Sequence, residues 1–305
     1  MALATRRVVA THTLARHVRS AVVGMLLSSL GAGVSAHTVI PSSVNTEPSL
    51  DAGFQLLYEL KPEDARASFA AWQASHLEDP VGSAAEAASY LFEESYRQGV
   101  LSSEFFLDDK RFFGAIAITP DGALRDAFFA AVRRAQDLAR RRLDSDPHDA
   151  NALFGMTLSL GMQADYASLI EKQQLESLAM IGEADTFARR LLAVNPDAAD
   201  AYLTLGTANY IIGSLPPVKR LLLHLKGISG DKRAGIRQLE IAAARGRYLR
   251  PFAKIMLALA ALREKKSEIA RMHLEELVAE FPGNPLFGGE LARLNAVSGR
   301  PRPPS

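Results

Sequence analysis

From about residue 50 onward the apolar positions recur at intervals of three and four, and no run alternates apolar with polar residues as a half-buried strand would. The apolar stretches are rich in Ala, Leu and Arg. Four of them close at a proline, namely Pro80, Pro147, Pro196 and Pro282, and a new amphipathic stretch begins within a few residues of each. Repetition of helix, turn, helix and proline predicts an all-α chain built from stacked hairpins. The last unit is the most regular. It spans 251–284, where Leu257, Ala258 and Ala261 share one face of a first helix, Ala270, Leu274 and Leu277 share one face of a second, and Pro282 follows.

The proline intervals add detail. Pro80 to Pro147 is 67 residues, Pro147 to Pro196 is 49, and Pro196 to Tyr248, the equivalent position before Pro251, is 52. Against a unit of roughly 34 residues, these leave about 33, 15 and 18 extra residues. The helical pattern on both sides of each proline is intact, so the surplus is expected in the turns inside the hairpins, at about 99–121, 164–178 and 214–230. Inserts at equivalent positions of stacked units line one edge. For the first gap, a whole degenerate repeat stands as the alternative, because 67 is nearly two units.

The units resemble the tetratricopeptide-repeat (TPR) family. Tyr202, Leu205 and Gly206 match its first-helix pattern, and Ala135, Ala184 and Ala270 each stand twelve residues before a proline (Pro147, Pro196, Pro282). Small residues at such positions let two helices approach closely. Thr157, where Gly is usual, and Lys254, where a large aromatic is usual, depart from the pattern. The resemblance implies a TPR-like α-solenoid over 49–298, with about five hairpins and a capping helix near 286–296. It also implies a non-catalytic scaffold that binds protein partners on the concave face of its first helices and along the insert edge. The contact residues expected on that basis are Tyr202, Asn209, Phe105, Phe106, Lys219 and Arg220. The carboxylate clamp of peptide-gripping members is not expected, since Asn151 and Asn209 fall outside its pattern.

Composition and charge place the chain. Residues 1–36 hold Arg6, Arg7, Arg16 and Arg19 with no acid, then the apolar run 21–30, then small residues ending at Ala36, the pattern of a secretory signal peptide. The run is shorter than the roughly 20 residues a membrane span needs. A polar linker, 37–48, and a Pro-rich tail, 299–305, are expected to flank the helical domain, and the location implied is periplasmic or extracellular. The formal charge of +1 becomes −3 once the four N-terminal arginines are set aside, so the body shows no electrostatic footprint for nucleic acid. With no cysteine, the chain has no disulfide, thiolate metal site or thiol nucleophile.

Candidate chemistry is sparse. G-x-S-x-G, H-E-x-x-H and G-x-x-x-x-G-K-[ST] are all missing, and His76, His148, His224 and His273 lack the i, i+4 spacing of a helical metal pair. No enzyme, cofactor or metal site is expected. In the first insert, Phe105, Phe106, Phe112 and Phe113 surround Asp108 and Asp109. Adjacent acids diverge and chelate poorly, so tucking of the phenylalanines onto the scaffold is the better reading than a carboxylate site. The second insert reads as a plain helical extension. The third, with Pro216, Pro217, Lys219, Arg220 and His224 among Leu221, Leu222 and Leu225, is a short basic amphipathic helix. The favoured expectation is that its leucines pack into the core. The alternative is weak contact with a membrane surface, as an accessory factor in envelope transport.

Overall fold

The structure, a computed structural model, describes residues 49–114, 118–225 and 228–297, and omits the side chains of Asp109, Phe113 and Lys219. The expected signal peptide 1–36, linker 37–48 and tail 299–305 lie outside the described residues. All regular structure among the described residues is helical: α1 (Leu50–Tyr58), α2 (Pro62–Ser75), α3 (Pro80–Arg97), α4 (Ser103–Leu107), α5 (Asp109–Phe113), α6 (Gly122–Ser145) and α7 (Ala150–Asp165), then α8 (Gln174–Val194), α9 (Ala201–Ser214), α10 (Pro217–His224), α11 (Lys232–Arg245), α12 (Arg250–Arg263), α13 (Ser267–Glu280) and α14 (Pro285–Val297). Between α7 and α8 the chain makes one π-helical turn, Tyr166–Ile170.

The starts of the helices are written locally. Ser49, Asp79, Asp121, Asp149 and Asp231 each accept a hydrogen bond from a backbone N–H in the first turn of the following helix. Pro62, Pro80, Pro217 and Pro251 occupy first-turn positions, where a missing N–H costs nothing. One four-residue turn recurs: the N–H of Asp79, Asp149, Ala198 and Asn284 donates to the carbonyl of His76, Asp146, Asn195 and Phe281. Pro147, Pro196 and Pro282 hold the second position of three of these turns, where a fixed φ suits the backbone. In the first turn that position is Leu77, and Pro80 lies three residues later inside α3. The proline ladder is therefore out of register at its first rung, and the first interval is 70 residues when measured from Leu77.

Neighbours in sequence pack as neighbours in space: α1 with α2, α3 with α6, α7 with α8, α9 with α11, α12 with α13, and α14 on α13. The three surplus segments fall between the partners of a pair. Residues 99–121 carry α4 and α5, each a little over one turn long, so this segment is an insert and not a hidden hairpin.

The described interior is filled by the chain itself. One apolar cluster runs from Leu50 to Phe287. Phe92 of α3 and Phe252 of α12 meet at 6.3 Å between ring centres, although 160 positions separate them in the sequence. At one end of this core, Phe54 of α1 stacks on Tyr248 at 4.9 Å, while Tyr58 lies 6.0 Å from Phe92 and 5.5 Å from Phe281. The Tyr58 hydroxyl donates to the Tyr248 carbonyl at 3.1 Å, and Asn284 Nδ2 donates to the Tyr58 carbonyl at 2.7 Å. Bidentate pairing of Arg247 with Asp51 holds the outer surface of the same junction.

At the other end α4 lies on α12. Arg263 donates to the Phe106 carbonyl at 3.0 Å, and the backbone N–H and hydroxyl of Ser103 both donate to Glu290 of α14. Phe105, Phe106 and Phe112 pack together there. Lys172, just past the π turn, donates to the Phe112 carbonyl at 3.1 Å and lies 4.7 Å over the Phe105 ring, which brings the first two inserts together. Tucking of Phe105, Phe106 and Phe112 is therefore what the structure shows.

Candidate functional site

The third insert is the exception to this packing. Its base is rigid. Gly213 and Gly230 approach so closely that a Cβ on Gly213 would lie 2.4 Å from the Lys232 nitrogen, and one on Gly230 would lie 2.9 Å from the Gly213 nitrogen. Asn209 spans the same junction: its Nδ2 donates to Gln238 Oε1 at 2.9 Å, and its Oδ1 accepts from the Asp231 N–H at 3.2 Å. Further down, α9 and α11 touch backbone to backbone at Gly206 and Gly235.

From this clamp the chain leaves through extended Leu215 and Pro216, and Pro217 starts α10. The helix makes no extensive packing contact with any other helix. Val218, Leu221, Leu222 and Leu225 are 71 %, 60 %, 58 % and 75 % exposed. The expected packing of these leucines into the core is overturned. Tyr210 and Ile212 of α9 and Leu239 of α11, the helices that flank the insert in sequence, are themselves buried.

The other expected contact residues lie elsewhere. Phe105 is 7 % exposed and belongs to the core, with Phe106 packed against it. Tyr202 is half-buried against two apolar clusters. Asn209 serves the clamp. Arg220 is exposed and donates to the Gly213 carbonyl at 3.3 Å, and the Lys219 side chain lies outside the described residues. Leu205, Leu257, Ala258 and Ala270 are buried, and Gly206 makes the close approach that its small size permits.

Two further places hold polar groups. An open cleft of about 620 Å³ is lined by Trp72, His76, Asp79, Arg142, Asn151 and Arg247, among others. Its groups are mostly turned on one another. Trp72 Nε1 and Asn151 Nδ2 both donate to Asp79 at 2.7 Å, Arg142 pairs with Asp149, Arg247 pairs with Asp51, and the Trp72 and His76 rings stack at 3.6 Å. The cleft thus braces the helix starts.

The second place surrounds the π turn, a feature that recurs at functional sites. Tyr166 is wholly buried, its hydroxyl has no hydrogen-bond partner among the described residues, and burial pushes its pKa up to about 12. Glu94, also buried, is gripped by Arg97 through two hydrogen bonds and by Gln98. Burial alone pushes the Asp165 carboxyl up to about 7. Among the described residues no group of three or more His, Cys, Asp or Glu is placed to hold a metal ion.

Because the folded value for Asp165 lies above its unfolded one, this carboxyl favours the folded state most below about pH 4. That contribution is lost as pH rises through 7. Asp165→Asn is therefore expected to raise the melting temperature at pH 8 and leave it nearly unchanged at pH 4. A variant that shifts the melting temperature equally at both pH values would show that the carboxyl does not titrate in this range.

No protein-family model and no curated protein sequence matches the chain. Among the described residues, no helix is long and apolar enough to cross a membrane.

Proposed function

We propose that the protein is an exported, non-catalytic docking scaffold. In this reading it is a TPR-like α-solenoid of five hairpins and a capping helix, curled until its own aromatic side chains fill the hollow. The outward-facing helix α10 is its contact element. The observation that carries the reading is the row of exposed apolar residues on α10, held on a glycine-tight base. Apolar side chains exposed singly, such as Leu77 and Leu175, need no explanation, but three on one short helix and a fourth at its C-cap mark a surface meant to be covered. Binding on a concave face has less support, since Phe105, Phe106 and Tyr202 already pack against the chain itself.

In-cell photo-crosslinking distinguishes the two surfaces. A benzophenone side chain at position 222 is expected to yield discrete adducts, to protein or to lipid, and one at position 202 to yield none. Adducts from 202 with none from 222 would return the function to the concave face and remove α10 as the contact element.

A further inference from the structure

The chemistry of α10 also says what covers it, given the reading above that it is the contact element. We propose that α10 rests on an anionic lipid surface, with Val218, Leu221, Leu222 and Leu225 entering the boundary between headgroups and acyl chains.

Geometry supports this first. At about 100° per residue, those four positions fall within an arc of about 100°. Leu223 and Arg220 occupy the opposite arc, where Leu223 is half-buried and Arg220 donates to the Gly213 carbonyl. The four apolar side chains are each more than half exposed, so they are open to a surface that covers them. Leu215 and Pro216 extend the chain before the helix, and the seam of Gly213 and Gly230 fixes where it emerges.

Charge supports it second. Lys219, Arg220, Lys232, Arg233 and Arg237 lie in this region of the sequence and Asp231 alone opposes them, in a body whose formal charge beyond residue 36 is −3. The Asp231 carboxylate is engaged at the start of α11, where it accepts from the Ala234 N–H at 2.8 Å. Part of the positive charge is also paired within the fold, as Lys232 bonds Glu264 at 3.0 Å. Apolar residues on one face of a helix with cations on its polar face are the signature of helices that lie in the membrane interface. A protein partner is favoured less. Stable protein pairs bury about 800 Å² on each side, which three side chains of an eight-residue helix and one at its C-cap do not supply.

The lack of cysteine allows a local test in the full chain. An environment-sensitive dye on Leu222→Cys is expected to shift to the blue and brighten several-fold with phosphatidylglycerol vesicles, and to stay unchanged with phosphatidylcholine vesicles. The same dye on Leu175→Cys, an exposed leucine of α8, is expected not to respond. Adding Val218→Ser, Leu221→Ser and Leu225→Ser to the labelled chain is expected to weaken the vesicle response at least tenfold. These side chains are exposed, so the helical circular dichroism should persist.

No response at 222 to anionic vesicles overturns the proposal, as does an equal response to phosphatidylcholine. A blue shift that grows with protein concentration in the absence of lipid also overturns it, in favour of a second copy of this chain. If the dye is silent while photo-crosslinking at 222 gives a discrete protein adduct, the lipid inference falls and α10 remains the contact element. If both are silent, both fall.

Discussion

Tyr58→Ala is expected to lower the unfolding free energy by about 4 kcal/mol, the cost typical of removing a large buried aromatic side chain from a core. Tyr58 is 3 % exposed and joins three distant parts of the chain: Phe92 on α3, Phe281 at the end of α13, and the Tyr248 carbonyl before α12. A cavity at this point lies where the first and last hairpins meet, and neither can collapse into it without parting from the other. For a body of this size the melting temperature is expected to fall by roughly 10 °C. Tyr58→Phe keeps the ring and removes only the hydroxyl, so about 1 kcal/mol is expected to be lost. Thermal denaturation of the three proteins checks this. A loss below about 1 kcal/mol for the alanine variant would mean that α1 lies on the surface and does not close the core.

Gly235→Ala is expected to destabilise the protein by about 2 kcal/mol, even though alanine is the better helix former by about 1 kcal/mol. A Cβ at this position would lie 2.5 Å from the Tyr210 nitrogen and 2.7 Å from the Gly206 carbonyl oxygen. Both obstacles are backbone, so no rotamer change relieves them and α9 must move away from α11. Gly161→Ala is the control. It lies within α7 with open space around the added atom, so a gain of up to about 1 kcal/mol is expected. Equal effects at both positions in chemical denaturation would show that helix propensity, and not the close approach, governs Gly235.

Much of the helical framework was legible in the chain. The period of the apolar positions and the prolines at turns are short-range signals, and each acts within a few residues of itself. They placed the pairs α7–α8, α9–α11 and α12–α13 and located the three inserts. The same signals misled at Pro80, because a proline suits the first turn of a helix as well as the turn before it. Gly213, Gly230 and Gly235 were visible as letters, but nothing local shows which backbone each one approaches.

The fate of the inserts depended on distant partners. The apolar residues of the first and third inserts were both expected to pack onto the fold, yet Phe105 is buried and Leu222 is exposed. What separates them is the supply of apolar surface across the fold. The first insert packs on α12 and bonds Glu290 of α14, whereas α10 of the third makes no extensive packing contact with any other helix. The sequence by itself therefore determined which segments are helical, where the helices turn, and that three hairpins carry excursions, because those choices are settled by neighbouring residues. Only the tertiary structure decided that the first insert is buried and that the apolar residues of α10 are left exposed. Burial depends on what other parts of the chain have already covered, and the residues of a segment do not record that.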